Sequence, residues 1–272
     1  MKNKNLNNTY IRPIKIRFIN FSGLKTLYIK ETLRFLKIPA QTIIGPIFSS
    51  LMFMFVFSIV IGNRFESEDA NLYINFLAPG LIIMSSLQNS FSNSSSSMIS
   101  MKIQGNIIDL LMTPIGPFEI FVSMILAAVT RGIITGICCY VVFLILGVTT
   151  LPFSFLYSIL FIFLGCSMMS ILGLIAGIVA KKYDSLATFN NFIIQPLTFL
   201  SGTFYSIKLL PSPFNLIASL NPVFMSIDGF RFGIIDKSDG IIFNSIFILI
   251  LLNLVLSIIC YQMILKGYRI KF

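Results

Sequence analysis

Three small sets of residues carry the chemistry open to this chain of 272 residues. Arg131 is the first, a lone basic residue well inside an apolar stretch. A guanidinium near the centre of a bilayer costs about 2.5–3.5 kcal/mol on insertion scales, so it should face protein or water and have a partner. It either caps backbone carbonyls or forms an internal salt bridge, or it attracts an anionic substrate or a lipid headgroup. The second set is Gly105, Ile107, Ile108, Asp109, Leu110, Leu111 and Pro114. A connection this short and this apolar suits a small helix that docks into a partner or into the membrane interface, and Pro114 keeps it from fusing with the next span. The third is Pro211, Pro222, Asp228 and Arg231, within a region from 196 to 240 that stays apolar far longer than an aqueous loop needs to. Its prolines forbid one continuous helix. Short helices dipping into the membrane satisfy both facts, because irregular backbone at that depth must be covered by protein or line a cavity.

Catalytic readings fail on inventory. The sequence has no His, which removes zincin motifs, His-based triads and the usual haem ligation. No Gly-Lys-Ser/Thr ending of a phosphate-binding loop occurs, so the chain cannot bind ATP by that route. Cys138, Cys139, Cys166 and Cys260 lie in apolar stretches without paired spacing and read as small hydrophobes.

The elements that must position these residues are membrane spans. Six apolar stretches, at about 39–62, 72–97, 118–147, 153–180, 187–207 and 241–264, approach or exceed the roughly 20 residues needed to cross the hydrocarbon. Hydrophobic residues make up 56% of the chain and charged residues 11%, against about a quarter in soluble domains; the mean hydropathy is +0.90. With both termini inside, fifteen Lys and Arg flank the spans inside and four outside, the latter being Arg64, Lys208, Arg231 and Lys237. Positive charge resists translocation, so this asymmetry favours cytoplasmic termini and an even number of crossings. The net charge of +10 is then topology and contact with anionic lipid rather than nucleic-acid binding.

Residues 22–38 are too charged to cross, yet Leu24, Leu27, Tyr28, Phe35 and Ile38 share one helical face. This predicts an interfacial amphipathic helix leading into the first span. Glu31 falls within the apolar stripe, either pairing locally with Arg34 at i, i+3 or meeting a neighbouring subunit. Gly132 with Gly136, and Gly173 with Gly177, have the spacing that lets helices approach closely. The polar tract Gln88 to Ser97 either lines a route or approaches the cytoplasmic surface.

The amphipathic first helix, the Gln104-Gly105 to Thr113-Pro114 connection, Leu200-Ser-Gly-Thr-Phe-Tyr205, Leu210-Pro211, Leu220-Asn-Pro222 and Asp228-Gly-Phe-Arg231 resemble, in order and spacing, the membrane subunits of ATP-binding-cassette type 2 exporters. The resemblance covers nearly the whole chain and departs in its complete lack of Trp. It implies an all-α polytopic fold forming a single transmembrane domain with six spans, paired with a second copy of itself in the bacterial plasma membrane. It further implies two separate cytoplasmic ATPase subunits that carry ATP and Mg, with no cofactor bound by this chain. Residues near 103–113 would be the coupling helix docked on the ATPase, and 209–231 re-entrant helices facing outside. Related exporters move drugs, polysaccharides or lipid-linked molecules. Two rival classes are an ion-driven secondary transporter, which normally needs midplane ionisable groups and often repeats, and an intramembrane lipid-modifying enzyme. Arg131 is the only such group, and the enzyme lacks its usual His and paired carboxylates.

Overall fold

The computed structural model of the chain describes residues 19–62 and 67–269. The basic N-terminal tail through Arg17, Arg64 with Glu66 in the first outer connection, and Lys271 lie outside the described residues. Among the described residues the chain is helical with no strand.

Helix α1 (Phe21–Leu36) starts where the Asn20 side chain accepts from the Gly23 N–H at 2.9 Å, and it buries Leu27, Glu31 and Phe35 one turn apart. It lies along α5 (Pro117–Ile145) and leaves Ile38, expected in the buried stripe, exposed. Pro39 ends it. A π turn (Ala40–Ile44) leads into α2 (Gly45–Gly62). A second π turn (Asn190–Ile194) separates α7 (Tyr183–Phe189) from α8 (Gln195–Phe199). Both π turns end two residues before a proline, Pro46 and Pro196. A ring without an N–H, which also crowds the carbonyl four residues back, widens the ladder at both places.

At the centre stands α3 (Ser67–Ile103), whose 37 residues span about 55 Å at 1.5 Å each. It packs on α5 and on α6 (Phe155–Val179) more extensively than any other helices pack together. The paired glycines explain how. A Cβ on Gly132 would lie 2.8 Å from the Ser86 carbonyl, and one on Gly177 2.9 Å from the Ser95 carbonyl. Both glycine pairs therefore face α3, where Ser86, Ser90 and Ser94 recur every four residues and keep the backbones close. Much of the polar tract is thus small-residue helix packing.

Among the described residues four helices are long and apolar enough to cross a membrane: the run Ala40–Val60, α5, α6 and α11 (Ile242–Leu265). The stretch expected to cross over 187–207 is helical over 183–199, in pieces. Beyond it Gly202 takes a φ of +66°, and the hydroxyls of Ser201 and Thr203 bond each other at 2.8 Å inside the protein. A 3-10 turn (Ile207–Leu209), α9 (Phe214–Ser219) and α10 (Pro222–Ile235) follow. The short connection after α3 is α4 (Asn106–Met112).

Candidate functional site

Arg131 lies midway along α5, and its environment departs from the structural expectation. It caps no backbone carbonyl and, among the described residues, forms no ion pair. Instead Nη2 donates to Asn89 Oδ1 at 2.9 Å and Nη1 to Asn93 Oδ1 at 3.5 Å, both on α3. The reason is inventory: the nearby acid, Glu31, is engaged elsewhere. Its Oε2 accepts from Arg34 Nε at 3.1 Å and from Ser97 Oγ at 2.5 Å, so the local i, i+3 pair forms. Arg34 also donates from Nη2 to the Asn93 carbonyl at 2.9 Å and to Asn93 Oδ1 at 3.0 Å. Two guanidinium groups therefore converge on the Asn93 amide oxygen, and the one carboxylate, Glu31, pairs with Arg34.

Arg131 borders a half-open cavity of about 310 Å³ between the first π turn, α2, α3 and α5. Ser85, Gln88, Asn89 and Ser92 line it from α3, spaced as i, i+3, i+4 and i+7 on a single helical face. The Gln88 to Ser97 tract thus has two sides, one packed on α5 and α6 and one facing this cavity. That face was readable from periodicity, but its partner helix was not.

At the end of the bundle where α3 terminates, Gly105 adopts a φ of +78°, the left-handed turn that glycine tolerates and that starts α4 afresh. Ile107 and Leu110 point inward and are buried, whereas Ile108, Asp109 and Leu111 are exposed, as is Met112 at 82%. Of the apolar residues expected on a docking surface, two are therefore spent holding α4 to the bundle. Pro114 follows, its carbonyl accepting from Asn20 Nδ2 at 2.8 Å, while Glu119 accepts from the Asn20 N–H at 2.8 Å. The start of α1 is so pinned to the loop after α4. One turn before Gly105, Lys102 is buried and was not singled out by sequence. Its Nζ donates to the carbonyls of Ile178 at 2.7 Å and Ala180 at 2.6 Å, capping α6 at its C-terminal end, where the helix dipole favours a cation.

The opposite end holds Asp228 and Arg231 on α10. Arg231, counted above among outside loop charges, is 1% exposed. Its Nη2 donates to the Gly202 carbonyl at 2.8 Å, its guanidinium sits 3.7 Å from the Phe76 ring centroid, and Nη1 lies 3.8 Å from Asp228. The Asp228 carboxylate accepts from the Asp239 and Gly240 N–H groups at 2.8 and 2.9 Å. Together the two residues bind α10 to α3, to the 200–206 segment and to the turn before α11. Pro222 opens α10 at its first position, behind an Asn221 cap that accepts from the Val223 N–H at 3.0 Å, while Pro211 is exposed in the loop before α9.

Residues 22–235 match the ABC-2 type transporter family. The chain is 32% identical to the inner membrane transport permease YadH of Escherichia coli K12, covering 92% of this chain and 97% of that protein. It is 26% identical to nodulation protein J of Rhizobium meliloti over 72% of this chain and 74% of that one. With four helices among the described residues apolar enough to cross a bilayer, a family match over most of its length and a full-length relative, the chain belongs to the ABC-2 type transporter family, as the membrane subunit of a transporter.

Proposed function

We propose that the chain is the permease of an ATP-driven exporter in the bacterial inner membrane, acting as a pair of copies on two separate ATPase subunits that carry ATP and Mg. One six-span domain crosses with α2, α3, α5, α6, the 183–199 run and α11, with both termini cytoplasmic. Export, as opposed to import, follows the resemblance to type 2 exporters. The observation that carries this reading is α4, which offers Ile108, Asp109, Leu111 and Met112 outward on a helix too short to be stable without its buried anchors Ile107 and Leu110. An apolar surface flanking a carboxylate, next to the inner ends of α3 and α6, suits a cytoplasmic ATPase. The name of the YadH relative supports the inner-membrane assignment.

Closure of the ATPases on ATP moves α4. The motion enters α3 through Gly105 and reaches α6 through Lys102, whose ammonium joins the end of α3 to the last carbonyls of α6. Coupling is the difference in contact that each ATPase state makes with α4. The segment 209–231 lies in the outer leaflet, where Asp228 and Arg231 stiffen it.

Mild-detergent purification of the tagged chain from its host, with identification of co-purifying proteins and an ATP hydrolysis assay, tests the reading. A stoichiometric partner with a phosphate-binding loop is expected, and it is lost when residues 106–112 are scrambled in an inserted protein. Asp109→Lys or Gly105→Pro should leave insertion intact and separate ATP turnover from transport, since proline cannot adopt the φ that Gly105 holds. Recovery of the chain alone, with ion-driven flux in liposomes, contradicts it and favours a secondary transporter.

A further inference from the structure

The cavity beside Arg131 is lined by one cation and by neutral amides and hydroxyls. Among the described residues its lining contains no carboxylate, and its polar walls come from Gln41 in the π turn, Ser49 and Ser50 on α2, Ser85, Gln88, Asn89 and Ser92 on α3, and Arg131 on α5. Two of these groups remain unsatisfied. Among the described residues Arg131 Nε has no hydrogen-bond partner, and neither has Ser85 Oγ, on a residue only 7% exposed. Buried polar groups in folded proteins are nearly always paired. Ser90 Oγ and Arg231 Nη1 are orphaned elsewhere, so what marks this place is the pairing of orphans with a cation whose partners are neutral and a pocket at its side. The sign of that ligand follows from charge. Glu31 is taken by Arg34 and Ser97, and Arg34 crowds the same Asn93 oxygen that Arg131 uses, leaving the neighbourhood with one uncompensated positive charge.

We propose that this cavity binds the anionic headgroup, a phosphate or carboxylate, of an amphiphile. A volume of about 310 Å³ takes a headgroup rather than a whole lipid. Its apolar walls, Phe53, Leu81 and Met84, accept the first carbons of a chain. The remaining chain leaves along α2, whose other face exposes Phe48, Met52, Phe55 and Val56. Arg131 supplies the charge and a planar fork of donors suited to two oxygens. Ser85 supplies a hydroxyl donor. A membrane lipid and an amphiphilic cargo share this chemistry. The inference rests on the membrane placement of the preceding reading and not on its ATP coupling.

The test uses the full-length chain in neutral-lipid nanodiscs, without ATP or any partner. Binding of hexadecyl phosphate is compared with that of hexadecylphosphocholine, which has the same chain and no net charge, and with inorganic phosphate. The wild type is expected to prefer hexadecyl phosphate at least tenfold over both. Arg131→Gln removes the preference, Arg131→Lys keeps part of it, and Ser85→Leu abolishes it by filling the cavity without touching the Arg131–Asn89 bond. Thermal unfolding confirms that each variant is folded. Displacement of hexadecyl phosphate by phosphatidylglycerol identifies the ligand as membrane lipid. Resistance to phosphatidylglycerol with the preference intact identifies a cargo-type amphiphile. No charge preference in the wild type, equal binding of inorganic phosphate, or a preference unchanged in both Arg131→Gln and Ser85→Leu overturns the proposal. A failed partner-ATPase experiment leaves this readout untouched, so the two readings fail separately.

Discussion

Arg231 and Arg131 both project from helices into the interior of the bundle, and the chain treats them oppositely. Arg231 has a carboxylate on its own helix, an aromatic face and two carbonyls from other segments. Arg131 has two side-chain amides, a cavity on its open side and an unpartnered Nε. Arg231 Nη1 also lacks a hydrogen bond, but it lies 3.8 Å from the Asp228 carboxylate, and a buried charge paired with an acid on its own helix acts as a rivet. One whose partners are neutral and whose field reaches a void is free to act on something that enters.

The largest effect should come from breaking the rivet. Arg231→Ala leaves Asp228 buried with backbone donors alone, and breaking a buried pair costs about 3–5 kcal/mol. Detergent-solubilised protein should unfold far below the wild-type temperature or fail to accumulate in membranes; wild-type stability would place the arginine back among solvated loop charges. Next comes the seam that carries the other arginine. Gly132→Leu drives a side chain into the Ser86 carbonyl and Cys166, an overpacking penalty of up to about 3 kcal/mol. It also moves Arg131 off its amides while sparing Arg231, and an unchanged melting temperature would mean that α5 and α3 are looser than their geometry implies.

Lys102 sits between the two extremes, a buried cation satisfied by carbonyls only. Replacing it with Met uncaps α6 at a cost of about 1–2 kcal/mol and, on the coupling route proposed, lowers substrate-stimulated ATPase activity more than stability. Loss of stability without that drop would reduce the residue to a cap. The smallest change in stability belongs to Arg131→Gln, which removes an uncompensated charge and keeps a donor for Asn89. Its melting temperature should be equal to or above that of the wild type while transport falls. Matching losses of stability in Arg131 and Arg231 variants would erase the contrast.

Much of this arrangement was legible in the residues, for reasons that differ by region. Apolar runs at 118–147, 153–180 and 241–264 locate α5, α6 and α11 to within a few residues because continuous hydrophobicity has one solution in a bilayer. Gly105 and Pro114 bracket α4 because each imposes its own backbone geometry. The Glu31–Arg34 pair is local and follows from helical spacing. What escaped depended on distant contacts. Lys102 meets carbonyls more than 70 residues away, and Arg231 meets Phe76 and Gly202, so a charge that looks like a loop residue is interior. The serines and asparagines of α3 read as one polar tract, and only the packing of α5 and α6 divides them into a glycine seam and a cavity wall. The fifth apolar stretch, 187–207, is shifted from its helical run, which starts at Tyr183 among polar residues and ends at Phe199, short of the left-handed Gly202.

The central claim, that α4 is where ATP energy enters, is met most directly by photo-crosslinking. A benzophenone amino acid replaces Met112, the most exposed apolar residue of α4, in native membranes, and the adduct is identified with and without ATP. The account predicts a single major adduct with a nucleotide-binding subunit, its yield changing with nucleotide, and no such adduct from Phe243 on the outer face of α11. Adducts to lipid alone at position 112, insensitive to nucleotide, would contradict it.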